Sequence, residues 1–260
     1  MEPVQFLKNS LSSAQKKKLK TFYYRTKFTL ETLPQVPRCA MNRLFFKGKL
    51  VAKYDKLNLG CSTLRLPGFL NMDVRPTRAV DIAHDCSDLS VFPDKSFSTV
   101  FSHAFFEHVF MDQRQACLKS VFHVLKDQGT VVFLGLPDFK KIALAYLNAE
   151  TNTPNEKFDL IEVYKYTHGY PEMAPAWWIE QLHKSLFDQD TIEELLKTAG
   201  FSHYSIFNYS FREEKIPLNL GFVGFKSQPA TLPDQPWLSH FLAGYTEAVN
   251  GQSIQILKQV

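Results

Sequence analysis

Residues 56–73, KLNLGCSTLRLPGFLNMD, contain two short apolar strands joined by a tight turn. The first strand, Lys56 to Leu59, leads into the turn at Gly60, and the second, Phe69 to Met72, ends on Asp73. A glycine at such a turn lets the backbone come close to a ligand, and an acid after the second strand can accept hydrogen bonds from ribose hydroxyls. Ligands of open α/β sheets bind beyond the carboxyl ends of the strands. The pattern therefore predicts a nucleoside-binding half-site.

The spacing of this half-site argues against a dinucleotide ligand. Dinucleotide sites use G-x-G-x-x-G followed by an acid about 20 residues later. Here only Gly60 is in place, because Ser62 and Arg65 stand where the other glycines would be, and Asp73 comes sooner. We therefore expect a nucleoside without a pyrophosphate group, which disfavours a nicotinamide-dependent oxidoreductase.

Further strands and helices alternate along the chain, as expected for a parallel, doubly wound sheet. The later strands are predicted at Ala79–Ile82, Ser96–Ala104, Gly129–Leu134, Phe201–Tyr209 and Leu220–Phe225. The helices between and after them are predicted at Met111–Lys126, Asp138–Asn148, Ile192–Thr198 and Trp237–Val249. Asp138 is expected to begin the helix Asp138–Asn148. Thr191 and Glu194 form a capping-box pattern at the start of the helix Ile192–Thr198.

Four segments together resemble the class I S-adenosylmethionine-dependent methyltransferases. They are residues 56–73, AVDIAHDCSDLSVFPDKSFSTVFSHAFFEHV (79–109), GTVVFLGLPDF (129–139) and HKSLFDQDTIEELLKTAGF (183–201). The resemblance keeps the family's order over about two thirds of the chain, within a small bacterial branch often associated with surface-polysaccharide and other cell-envelope pathways. It implies a Rossmann-like, seven-stranded, mostly parallel sheet whose last strand is antiparallel, together with S-adenosyl-L-methionine as the cofactor.

The same resemblance assigns candidate cofactor-binding residues. In the family, the position of Asp73 binds the ribose and that of Asp85 meets the adenine amino group, while Ser62 replaces a further glycine. The full set of candidates is Asn58, Gly60, Cys61, Ser62, Asp73, Asp85, Cys86, Ser102 and His103.

Methyl transfer mainly requires the nucleophile and the methyl group to be held in line, and a hydroxyl nucleophile also needs a base. His183 matches a position that the family tends to fill with His-Lys and is the preferred catalytic candidate. His168, in YTHG, is the second, and a structural role remains an alternative for His183. No histidine has a cysteine or carboxylate partner at metal-ligand spacing in the sequence, so we predict no metal.

Three regions are expected. Residues 1–54 form a basic helical N-terminal extension, residues 55–228 the methyltransferase domain with an aromatic substrate-side insertion at 149–184, and residues 229–260 a C-terminal tail. Residues 1–56 hold 13 Lys or Arg against three acids, a net charge of +10. This arm could cover the substrate pocket, lie on an anionic membrane surface or contact an anionic glycan. Nucleic acid is not expected, because no recognition motif accompanies the charge.

The four scattered cysteines favour a reducing compartment. No apolar run reaches the roughly 18 residues that a bilayer span requires, and the N-terminus lacks a secretory pattern. We expect a cytoplasmic location, with peripheral contact at the inner face of the membrane as an alternative.

The predicted function is methyl transfer to an acceptor hydroxyl of a glycan or glycan precursor, in polysaccharide biosynthesis. Two alternatives stay open: methyl transfer to a small-molecule or protein amine, and a catalytically silent methyltransferase-like binding protein, which the substitution at Ser62 favours. The oligomeric state is not encoded in these patterns.

Overall fold

The computed structural model describes residues 12–153, 156–169, 179–212 and 214–260. Within these residues, one eight-stranded sheet forms the centre of the molecule. Its strands are β1 Lys56–Leu59, β2 Leu70–Asp73, β3 Ile82–Ala83, β4 Phe97–His103, β5 Leu125–Pro137, β8 His203–Tyr209, β9 Asn219–Phe225 and β10 Gln255–Gln259. Two short strands, β6 Thr151–Thr153 and β7 Glu156–Lys157, form a separate hairpin.

The strand order in the sheet is β10-β8-β9-β5-β4-β1-β2-β3. Strands β3, β2, β1, β4 and β5 run parallel to one another, whereas β9 is antiparallel to both β5 and β8. The prediction of a doubly wound, mostly parallel α/β sheet is therefore confirmed, and β9, the last strand that was predicted, is antiparallel to both of its neighbours. The predicted count of seven strands is wrong, because β10 adds an eighth strand that pairs antiparallel with β8 at the sheet edge.

The helices are α1 Ser13–Thr32, α2 Val36–Met41, α3 Lys47–Lys53, α4 Arg114–Val124, α5 Phe139–Leu147, α6 Leu160–His168, α7 Gln189–Ala199 and α8 Gln235–Ala243. None of these helices has the length and apolar character that crossing a membrane requires.

Successive residues of the central strands face opposite sides of the sheet, and each side has its own core. Val100 of β4 packs in the core that contains apolar residues of α4 and α7. Its neighbour Phe101 packs in the other core, with Leu238 and Leu242 of α8. Both faces of the sheet are therefore buried, which leaves its strand ends as the place for a ligand.

The segment before β1 packs against the β3 edge of the sheet. Arg38 donates hydrogen bonds to the carbonyls of Thr77 and Val80, and Asn42 donates to the carbonyl of Asp81. These contacts attach α2 beside β3, and no residue of 12–53 lines either cavity described below.

Two helix starts show which capping predictions hold. The Asp138 side chain caps α5 by accepting from the Lys141 N–H, as predicted. The capping box at Thr191 is wrong, because Asp188 is the cap of α7 and accepts from the Thr191 N–H. An aspartate three residues upstream satisfies the free N–H groups of the first turn equally well.

Candidate functional site

The first cavity, of about 360 Å³, lies at the carboxyl ends of β1 and β2. This volume falls in the usual range for small-molecule sites. Five of the nine residues predicted for the cofactor line it: Gly60, Ser62, Asp73, Asp85 and Cys86. The half-site recognised in the sequence is thus assembled around one open space.

Gly60 directly follows β1 and has a positive φ of 67°, a conformation that glycine adopts at no steric cost. A Cβ at this position would lie 2.7 Å from the Cβ of Phe105, which also lines the first cavity. Glycine is therefore required here both by the backbone and by Phe105, a contact that the sequence did not reveal.

The carboxylate of Asp73 ties the turn after β1 to the end of β2. Its Oδ2 accepts from the Ser62 N–H at 2.8 Å, and its Oδ1 accepts from the Arg75 N–H at 2.9 Å. The Arg75 Nε lies 3.5 Å from the same Oδ1. Because a carboxylate has about four acceptor positions, Asp73 keeps acceptor capacity for ligand hydroxyls.

Ser62 adopts φ of 50°, in the left-handed region that usually selects glycine. Its carbonyl accepts from the Thr77 hydroxyl at 2.5 Å, and its own hydroxyl accepts from Arg75 at 3.4 Å. The local contacts thus hold the serine in this left-handed conformation.

Asp85 and Cys86 occupy the loop after β3. The exposed Asp85 accepts from both the N–H and the hydroxyl of Ser87 through its Oδ1, and neither of these bonds involves its Oδ2. Cys86 is buried, and this burial raises the pKa of its thiol well above the ordinary value.

Three of the predicted cofactor residues lie behind the cavity rather than in its lining. Asn58 donates to the Asn71 side chain at 3.0 Å, and Ser102 donates to the Leu59 carbonyl at 3.2 Å. The Cys61 N–H donates to the Met72 carbonyl. Each of these bonds joins neighbouring strands, so the structure gives these residues a supporting position.

A second cavity, also of about 360 Å³, opens beyond the carboxyl ends of β4 and β5. It shares Ala104, His108 and Gln181 with the first cavity, so a ligand in one lies beside a ligand in the other. Its polar lining includes His103, Glu107, Lys165, Tyr166, His183, Glu214 and Asn219.

His103, predicted for the cofactor, lines the second cavity instead of the first. Its ring packs against Phe211 with centroids 5.9 Å apart. Burial, with a smaller contribution from the positive charge of Arg212, lowers the pKa of His103 to about 4. The ring is therefore neutral at physiological pH.

The structure separates the two catalytic candidates. His183 lines the second cavity, and its Nδ1 is bonded to the Tyr166 carbonyl at 2.7 Å. His168 is exposed at the end of α6, bonded to Thr167 and stacked on Tyr164, and it lies outside the lining of both cavities. Tyr170, Trp177 and Trp178 of the predicted aromatic insertion lie outside the described residues.

Glu107 and His108 were not among the predicted site residues, yet both line the second cavity. Burial raises the pKa of Glu107 to about 8 and lowers that of His108 to about 4. With His183 they form a group in which one potential ligand atom of each residue lies within 4.8 Å of the others. The signal in the sequence was their position directly after β4, where functional residues of such sheets lie.

The comparisons with known proteins agree with the half-site. Residues 68–133 match the family model described as "Methyltransferase domain". No curated protein matches the sequence.

Solved structures resemble the chain at low identity. A SAM-dependent methyltransferase from Thermotoga maritima shares 14% identity over 81% of this chain and 98% of its own, with a TM-score of 0.44. A SAM-dependent methyltransferase from Archaeoglobus fulgidus shares 13% identity over 78% of this chain and 99% of its own, with a TM-score of 0.46. A SAM-dependent methyltransferase from Methanosarcina mazei shares 16% identity over 71% of this chain and 98% of its own, with a TM-score of 0.43. Scores below 0.5 add nothing to the functional assignment, which rests on the domain match and the site.

The domain match and the half-site support a class I S-adenosylmethionine-dependent methyltransferase. Its cofactor is S-adenosyl-L-methionine. The residues present fit this molecule, because the first cavity combines a carboxylate with free acceptor capacity, an acid in the next loop and a turn that has no pyrophosphate cradle.

Proposed function

We propose that the protein transfers a methyl group to a hydroxyl of a glycan or glycan precursor bound in the second cavity. The observation that carries this proposal is the common wall of the two cavities, formed by Ala104, His108 and Gln181. Bound S-adenosylmethionine would supply an electrophilic methyl group, which leaves its sulfur for the acceptor oxygen as the hydroxyl proton is lost. The chain then has to position that oxygen and lower the cost of removing its proton.

The wall of the second cavity suits a ligand rich in hydroxyl groups. The Tyr166 hydroxyl donates to Glu214, and Asn219 donates to the other Glu214 oxygen at 2.9 Å. Burial raises the pKa of Glu214 because it removes water from the carboxyl group. A further hydrogen bond from a ligand hydroxyl would therefore stabilise this group. Such a connected set of donors and acceptors favours a polar acceptor over an apolar one.

We propose His183 as the residue that acts on the acceptor hydroxyl. Its Nδ1 is bonded to a carbonyl, which only accepts, so Nδ1 carries the hydrogen and Nε2 has a free lone pair. Burial lowers the pKa of His183, which keeps the ring neutral at physiological pH. The lone pair can then accept a proton, or bind a metal ion that makes the hydroxyl more acidic.

The test is a methyl-transfer assay with radiolabelled S-adenosylmethionine and a panel of glycan precursors and amines. Transfer to a hydroxyl acceptor that falls at least about tenfold in His183→Ala and stays near wild type in His168→Ala is the expected result. Transfer confined to amines would mean that the acceptor is an amine and not a glycan. The acidic side chains of Glu107 and Glu214 in the lining of the second cavity favour this alternative. Cofactor binding without transfer to any acceptor would favour a silent binding protein, the alternative that the substituted Ser62 keeps open.

For the basic N-terminal arm we propose contact with an anionic membrane surface. Helix α1 presents exposed Leu19, Phe22 and Tyr23 in a segment rich in lysine, and each basic residue near such a surface contributes about 1 kcal/mol. Sedimentation with phosphatidylserine vesicles at low salt, lost when residues 1–32 are removed, is the expected result. Equal recovery with neutral vesicles would contradict it.

A further inference from the structure

Glu107, His108 and His183 come together from two distant parts of the chain. Glu107 and His108 belong to the helical turn Phe106–His108 that follows β4. The Glu107 carbonyl accepts from the N–H groups of Lys184 and Ser185, at 2.8 and 3.1 Å. These two bonds hold the segment containing His183 against the turn, and one ligand atom from each of the three side chains lies within 4.8 Å of the other two.

Both histidine rings are oriented by main-chain carbonyls. His108 donates from Nδ1 to the Leu182 carbonyl at 3.0 Å, and His183 donates from Nδ1 to the Tyr166 carbonyl at 2.7 Å. The two rings lie with centroids 5.1 Å apart. In each ring Nε2 is therefore left with a lone pair, and a hydrogen bond that fixes the ring in this way is typical of metal-binding histidines.

The Glu107 side chain is only 2% exposed. Its Oε1 lies 3.6 Å from the His108 Nε2, and its Oε2 is buried without a hydrogen-bond partner among the described residues. A buried carboxylate oxygen without a partner is costly, and the lone pair of the neighbouring His108 Nε2 cannot donate to it. A cation among the three groups would satisfy all of them.

We propose that Glu107, His108 and His183 bind one divalent transition-metal cation at the wall of the second cavity. Two imidazoles and one carboxylate form a common ligand set for Zn²⁺, Fe²⁺ or a similar ion, with coordination positions left open. Ligand atoms about 2.1 Å from such an ion lie about 3 to 3.5 Å apart, so small side-chain rotations close the group. The sequence prediction of no metal considered spacing along the chain, whereas these ligands meet through space.

This inference rests on the proposed transfer to a hydroxyl and deepens it. The second cavity is lined by all three ligands, so an open coordination position faces the acceptor. A cation there binds the acceptor oxygen and lowers the pKa of its hydroxyl. The proton leaves to solvent, the oxygen–methyl bond forms and the sulfur–methyl bond of the cofactor breaks, with no other reactant needed.

The test is a titration of chelator-treated full-length protein with Co²⁺, followed by visible absorption, and with Zn²⁺, followed by calorimetry. We expect one ion per chain, and affinity at least about tenfold weaker in Glu107→Gln and His183→Gln. His168→Gln is the matched control, because it removes a nearby exposed histidine that is outside the group, and it should bind as the wild type does.

Binding of S-adenosylhomocysteine, measured on the same samples, separates this proposal from the proposed function. Folded wild-type protein that binds the nucleoside but takes up neither cation overturns the metal site and leaves the methyltransferase intact. Cation affinity that is unchanged in both Glu107→Gln and His183→Gln has the same meaning. Methyl transfer that is abolished by chelator and restored by cation, with nucleoside binding unchanged, supports the site. Transfer that resists chelation overturns it and leaves His183 as a base. Should a variant fail to fold, the wild-type titration still decides.

Discussion

The requirement for glycine at position 60 can be separated into its physical causes with three matched substitutions. Gly60 has φ of 67° and would place a Cβ 2.7 Å from the Phe105 Cβ, whereas Gly68 has φ of 80° with open space around it. Gly48 lies in helix α3 with neither constraint. Alanine at the three positions therefore tests backbone strain with a clash, backbone strain alone, and neither.

The expected free energies of unfolding follow from these contacts. Gly68→Ala should lose about 1 to 2 kcal/mol, which is the cost of a left-handed conformation for a residue with a Cβ. Gly60→Ala adds an overpacking cost of about 1 to 3 kcal/mol, so its total loss should be about 2 to 5 kcal/mol. Gly48→Ala should gain up to about 1 kcal/mol, because alanine is the better helix former.

The assays are urea unfolding and calorimetric titration with S-adenosylhomocysteine. Gly60→Ala should also weaken nucleoside binding at least about tenfold, because its Cβ displaces Phe105, which lines the first cavity. Gly68→Ala, which meets no neighbouring atom, should bind nearly as the wild type does. Equal losses of stability and of affinity at positions 60 and 68 would refute the reasoning, since the contact with Phe105 would then have no effect.

Three further outcomes are expected. Asp73→Asn should weaken S-adenosylhomocysteine binding about 10- to 100-fold by calorimetry, because hydrogen bonds to a charged group contribute about 1.5 to 3 kcal/mol, while the exposed Asp94→Asn should change nothing. Burial lowers the pKa of His103 to about 4 from an ordinary 6.5, so as pH falls the unfolded chain takes up this proton first. The free energy of unfolding should then drop between those two pH values by up to about 1.4 kcal/mol per pH unit. Urea unfolding of His103→Phe should lack this loss. An identical pH dependence in the variant would contradict the lowered pKa of His103. Removal of residues 251–260 deletes β10 and exposes the edge of β8, so light scattering should show aggregation, and a fully monomeric truncated protein would show that β8 needs no cover.

The half-site was predictable because its parts are close in sequence. Gly60 and Asp73 are separated by a single strand connection, and the hydrogen bond from the Ser62 N–H to Asp73 closes that short loop. Turn chemistry, apolar strands and the direction of parallel strands are local properties, so their pattern also indicates the doubly wound sheet. The resemblance to methyltransferases rests on the same local segments.

Other features depend on contacts that no local pattern contains. Phe105 determines the space at Gly60, although it comes from a strand end far along the chain. Strand β10 lies beyond the segment that resembles the family, and its pairing with β8 sets the eighth position of the sheet. The sequence pattern predicted Asn58 and Ser102 as cofactor-binding residues. In the structure, their side chains form hydrogen bonds between neighbouring strands.

The sequence by itself determined the fold class and the nucleoside half-site, because short-range spacing places those residues at one sheet edge. The cofactor followed from the resemblance of the same segments to class I methyltransferases. Only the tertiary structure decided the second cavity and the meeting of Glu107, His108 and His183. The physical reason is that these side chains are brought together by long-range packing and by two hydrogen bonds to the Glu107 carbonyl, and burial then changes their chemistry. Residues that are 75 positions apart carry no mutual spacing signal until the chain has folded.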